Sequence, residues 1–194
     1  MNSRIFVSVG KTFNARQERF VSAVERRLIT YGLDPQRVGR NVFANKQPLR
    51  FIRELMDRCD GTVVIALERF YVKQGLEMRG SDKAKPLDRQ KLPTVWNQIE
   101  AAMAYTLRHP LLIITEEDIR RDGLLEANYD WYILHVKPEP EALDAQEVDG
   151  QIREWAERVK RRRWNRLVRR GMALYFLFAL AICVALGFTR YFHL

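Results

Sequence analysis

Trp96 and Glu100 lie four residues apart in TVWNQIEAAMAYTLRHPLLII, residues 94–114. At that spacing they share one face of a helix, so a carboxylate and a flat aromatic wall would meet the same ligand. Pro93 opens the helix and puts Glu100 near its second turn. An acid there is also favoured by the helix N-terminus alone, and a tryptophan there can be core. The flanks raise the pair above that: a buried strand precedes it, and Ala101, Ala102, Ala104 and a second buried strand follow. Lys11 and Arg69, each just after a strand, are placed to meet phosphates. The histidines (His109, His135, His193) and cysteines (Cys59, Cys183) have no metal-binding spacing. Neither GxGxxG nor GxxxxGK[ST] occurs. Gly10-Lys11-Thr12 looks like the tail of a P-loop but lacks the required glycine before it.

The elements that must hold these residues alternate. Arg4–Val9 (RIFVSV) is a strand. Phe13–Tyr31 is a helix by the period of Phe20, Val24 and Leu28, with Asn14 as N-cap and Gly32 as stop. Val38–Phe43 is a weak strand or a loop. Pro48–Asp57 is a helix with Leu49, Ile52, Leu55 and Met56 inward. Gly61–Leu67 (GTVVIAL) and Leu111–Thr115 (LLIIT) are strands buried on both faces. Pro93–Arg108 is a helix with Ile99, Ala102, Met103 and Leu107 inward, and Trp131–Val136 is a last strand. Such alternation predicts an α/β fold, a parallel sheet with helices on both faces. Ligands then bind at the carboxyl ends of the strands, near Gly10 and Lys11, Glu68 to Tyr71, and Glu116. Asp60 falls at the other end and reads as a turn residue. Val72–Leu92 reads as a polar loop, either a lid or a solvated insertion.

The opening strand, the helix with Phe20 and Leu28, PLRFIRELMDRCDGTVVIAL at residues 48–67, and WNQIE at residues 96–100 together resemble the Toll/interleukin receptor (TIR) domain superfamily and its nucleoside deoxyribosyltransferase-like relatives. The resemblance covers about residues 4–136. Two features depart from it. The long polar loop stands where the family has Ser and Tyr before the Trp, and VGKTF (residues 9–13) stands where it has an acidic loop. The resemblance implies a TIR-like, flavodoxin-like sheet and cleavage of an N-glycosidic bond in NAD or a nucleoside. It implies Glu100 as the catalytic carboxylate, stabilising the oxocarbenium character that develops on the ribose. Ser8, Gly10, Lys11, Arg69, Trp96 and Asn97 are the expected substrate-binding residues. No cofactor is expected; NAD or a nucleotide enters as substrate or ligand.

The chain has 194 residues and a net charge of +9, from 33 Lys and Arg against 24 Asp and Glu. The excess is local. Residues 158–170 (RVKRRRWNRLVRR) hold eight basic residues and no acid, and Arg190 is a ninth; the remaining 24 basic residues match the 24 acids. A neutral body argues against nucleic acid as a partner. The basic patch precedes GMALYFLFALAICVALGFT, residues 171–189, an uncharged run of the length of a membrane-spanning helix. Positive charge on its N-terminal side predicts that the preceding domain is cytoplasmic. The expected layout is a TIR-like domain over 1–137, a linker and basic juxtamembrane helix over 138–170, with Ile152, Trp155, Val159 and Leu167 inward, and a transmembrane helix over 171–190. The lipid bilayer and further copies of the chain are the expected partners. Two functions follow. One is a membrane-anchored TIR-like effector or signalling protein, of the kind found in bacterial antiviral defence, that binds a nucleotide signal or self-associates. The other is an NAD or nucleoside N-glycosidase using Glu100.

Overall fold

The computed structural model describes residues 2–39, 48–126 and 130–191; the side chains of most of the run after Arg169 lie outside that set. Five strands form one parallel sheet: β1 (Ser3–Val9), β2 (Leu33–Arg37), β3 (Gly61–Ala66), β6 (Leu111–Glu116) and β7 (Tyr132–Val136), in the order β2-β1-β3-β6-β7. Between β3 and β6 the chain makes an antiparallel hairpin of β4 (Phe70–Glu77) and β5 (Lys85–Leu92).

Side-chain alternation along the strands sends two sets of residues to two faces. Ile5, Val7, Val63, Ile65, Leu112 and Ile114 pack under α1 (Ala15–Thr30) and the first turns of α4 (Gln146–Tyr191). On the other face Val64, Ala66, Leu111 and Ile113 pack with Ala101 and Ala104 of α3 (Val95–Thr106), and Phe6 with Ile52 and Met56 of α2 (Pro48–Asp57). The Asn14 side chain caps α1 by accepting from the Gln17 amide at 2.8 Å, and Gly32 takes φ +74° just past its end. Asp60 is buried at the amino end of the sheet. Its N–H donates to the Arg4 carbonyl (2.7 Å), and its carboxylate accepts from the Arg4 N–H (3.1 Å), which ties the starts of β1 and β3 together.

Four expectations are corrected. The second strand is Leu33–Arg37, not residues 38–43, of which 40–43 lie outside the described residues. Its Pro35 is tolerated because β2 is an edge strand. The segment 72–92 is a hairpin, not a loop. Both of its faces are largely exposed, so no apolar alternation marks it. The inward face of α3 is Asn97, Glu100, Ala101 and Ala104, whereas Ala102 is exposed and Ile99, Met103 and Leu107 are half-buried. The two alanines let the helix lie close on the sheet, which carries the two polar side chains in with them. Finally, the segment expected as a linker contributes core. Ile152, Trp155, Ala156 and Val159 are buried against the sheet, and the compact unit runs through Val159. Leu167, expected inward, is exposed.

Residues 160–191 form a second unit, the continuing helix of α4. Among the described residues no helix is long and apolar enough to cross a membrane. The expected span falls mostly on side chains outside that set.

Candidate active site

The strand order fixes where a site forms. From β1 the chain crosses to β2 on one side and then returns to β3 on the other. Crossovers diverging in this way leave a crevice at the carboxyl ends of β1 and β3, the usual ligand position of such sheets. In this chain a narrow cleft lies there, lined by Gly10, Lys11, Leu67, Glu68, Arg69 and Thr94. Thr94 caps α3 and presses on Gly10: a Cβ at position 10 would come within 3.2 Å of its Cγ2. The Arg69 guanidinium donates to the Lys11 carbonyl at 3.4 Å, closing the rim. The cleft, about 10 Å³, is too small for a nucleoside.

Next to this crevice three polar side chains meet. Ser8 of β1 and Asn97 of α3 are each only 1% exposed, and Glu100 is 8% exposed. The Asn97 amide donates to Ser8 Oγ at 3.2 Å and to the Ile65 carbonyl of β3 at 3.4 Å, bridging the two strands that flank the crevice. Its carbonyl oxygen, Oδ1, is buried with no hydrogen-bond partner. Burial raises the Glu100 pKa to about 7, and a hydrogen bond with Ser8 partly opposes the rise. Among the described residues, no cation contacts Glu100. A carboxyl group with one hydroxyl partner and a raised pKa, beside an unpaired amide oxygen, is the arrangement found where catalytic groups are tuned.

The expected site residues therefore separate into three places. Ser8, Asn97 and Glu100 form the buried cluster. Gly10, Lys11 and Arg69 form the rim, and no contact joins Glu100 to Lys11 or Arg69. Trp96 is 42% exposed, a surface aromatic on the first turn of α3 and not core.

Sequence reasoning named Glu116 only as a strand-end residue and missed Lys91. Glu116 is buried at the end of β6. One oxygen accepts from the Glu68 N–H (3.0 Å) and the other from Lys91 Nζ (2.8 Å), with Glu68 and Asp118 carboxylates 3.9 and 3.7 Å from the same ammonium. That bond, chiefly, raises the Lys91 pKa. The base of the hairpin is fastened here: Leu92 accepts from the Arg69 N–H, Lys91 accepts from the Arg120 N–H, and Arg120 pairs with Glu77 at 2.6 Å. Only the fold brings positions 91 and 116 together, so no local spacing marks the pair. Lys91→Met leaves a buried carboxylate unpaired and is expected to lower stability by about 2–3 kcal/mol in urea unfolding. Lys91→Arg should restore most of it.

No protein-family model matches the chain, and no curated protein matches it. Among solved structures, a CMP N-glycosidase from Clostridium botulinum aligns with TM-score 0.47 and 10% identity over 75% of this chain and 97% of that one. A metal-soaked flavodiiron core from Synechocystis aligns with TM-score 0.42 and 11% identity, over 82% of this chain and 36% of that one. The sugar isomerase domain of an RpiR transcription factor from Sphaerobacter thermophilus aligns with TM-score 0.41 and 15% identity, over 86% and 78%. None of these likenesses assigns a role to a residue of this chain.

Proposed function

We propose that the domain is an N-glycosidase acting on a nucleotide or NAD, with Glu100 as its catalytic carboxylate. One observation carries this reading: Glu100 is buried next to the β1/β3 crevice, held by Ser8, with a pKa raised to about 7. Near neutral pH about half of such a group is ionised and free of a permanent counter-ion. Its charge is then available for a cation that forms during reaction. As the C1′–N bond breaks, the electron pair leaves with the base and positive charge spreads over C1′ and the ring oxygen. The Glu100 carboxylate faces that charge. Water adds at C1′ and loses a proton; a purine or pyrimidine base takes one up, whereas the nicotinamide of NAD leaves neutral and the proton passes to solvent, so base and sugar are released. Ser8 holds the carboxylate in place. The unpaired Asn97 oxygen accepts from a ribose hydroxyl, Lys11 and Arg69 meet phosphate once the rim opens, Gly10 allows close approach, and Trp96 walls the entrance. The β4–β5 hairpin, fastened by Lys91 beside the cleft, moves as a lid.

The test is release of free base, followed by chromatography, from NAD, AMP, CMP and the corresponding nucleosides. At least one should yield base and sugar in equal amounts; an unchanged set would reject the reading.

The second reading, a TIR-like effector anchored in a membrane and serving antiviral defence, is supported by residues 158–189, a basic run followed by an uncharged one. A tether of this kind is compatible with either function. Full-length protein is expected to pellet with membranes, and a chain ending before residue 171 to stay in the supernatant. Equal partitioning of both would remove the tether.

A further inference from the structure

At the opposite end of the sheet lies a cavity of about 530 Å³, where α3 ends and β6 and β7 begin. Its wall includes Tyr105, Trp131, Tyr132 and Trp155, with Arg108 and Arg158. It is separated from the crevice by the length of β6, six residues from Leu111 to Glu116 or roughly 16 Å. The Glu100 chemistry does not use it.

Three features go beyond what packing needs. The rings are displayed: Tyr105 is exposed yet held edge-to-face on Trp131, with centroids 5.5 Å apart and planes at 69°. The cations are presented at the wall. The Arg158 guanidinium lies 4.7 Å from the centre of the Tyr132 ring, and Arg108 makes no ion pair among the described residues. Arg158 also pairs with the exposed Glu154 at 3.4 Å, and the wall itself holds one acid, Asp130. The third feature is independent of both. Trp155 is buried, its indole N–H has no acceptor, and its side chain borders the cavity. An unpaired buried donor is costly. The nitrogen itself is covered, so a ligand acceptor reaches it only if the wall shifts.

The volume suits a small ligand, the rings suit stacking of a flat heterocycle, and the guanidinium groups suit a phosphate. We infer that this cavity binds a nucleoside monophosphate, at a second site separate from the Glu100 crevice.

The test uses full-length protein in detergent with its tryptophans 15N-labelled. The four indole N–H signals are assigned by Trp→Phe variants, and AMP is titrated in. To keep AMP intact and to separate this site from the other, the titration is run on wild type and on Glu100→Gln. The expected result is saturable movement of the Trp131 and Trp155 signals with one midpoint in both proteins. Adenosine and inorganic phosphate should each need about tenfold more to move them, as should AMP on the Arg108→Ala/Arg158→Ala protein. Trp96, on the helix that carries Glu100, gives an independent signal from that side of the sheet. Immobile Trp131 and Trp155 signals in the wild type would overturn the proposal. So would equal midpoints for AMP and adenosine, or for wild type and the double-arginine variant.

Discussion

Glu100→Gln is expected to reduce base release by roughly a thousandfold or more while making the folded protein more stable at neutral pH. Both effects come from the same burial. Folding raises the Glu100 pKa from 4.5 to about 7, through desolvation that the Ser8 hydrogen bond only partly offsets. Between those values the folded protein holds a proton that the unfolded chain has lost. Stability due to this group is therefore complete below pH 4.5 and falls as pH rises through 7. The loss is on the order of 3 kcal/mol across that window. An uncharged glutamine has no such dependence. Melting temperatures of the two proteins should agree near pH 4.5 and diverge as pH rises, with Glu100→Gln the higher. For catalysis the ionised form is needed, so wild-type kcat/KM should rise through an apparent pKa near 7. The group that costs stability above pH 7 is the group that works there. Melting curves that stay parallel from pH 4.5 to 8 would show that Glu100 is not buried as described.

The second large effect is on stability. Trp155→Ala is expected to destabilise the domain by about 3–5 kcal/mol, the range for removing a fully buried aromatic. Trp155 is 1% exposed and sits against the start of β3, where Gly61 leaves room for it. A Cβ at position 61 would lie 3.4 Å from the Trp155 ring and 2.7 Å from Val159 Cγ2. The result shows up in chemical denaturation of the full chain. It also bears on domain extent. A chain cut at residue 137 lacks Ile152, Trp155, Ala156 and Val159 and should fail to fold, whereas one cut after the core turns of α4 should fold. A stable 1–137 fragment would contradict the packing of α4.

Much of this architecture was readable from residue order. GTVVIAL and LLIIT are strands because a doubly covered strand needs apolar residues on both faces, and β3 and β6 are buried along their whole length. Asn14 and Gly32 marked the ends of α1 because caps have local chemistry. What sequence could not show depended on position in the fold. LDPQR forms β2 because an edge strand spares Pro35 a second neighbour. The hairpin carries no apolar alternation because neither face meets a core. On α3 the apolar residues suggested one inward face, but Ala101 and Ala104 set another. Trp96 and Glu100 do share a helix side, yet one is at the surface and the other buried, and spacing alone does not separate them. Asn97, half-hidden in WNQIE as a motif letter, turns out to bridge β1 and β3. The Lys91–Glu116 pair joins residues 25 apart in the chain and has no sequence signature.

The measurement closest to the central claim is the rate of free-base release by wild type and Glu100→Gln side by side. Both are full-length, folded by melting curve, placed on liposomes and assayed at pH 7.5 with the best substrate of the nucleotide set. The account predicts steady release by wild type and a rate lower by roughly three orders of magnitude for Glu100→Gln at matched or greater stability. Equal rates from the two proteins would contradict it.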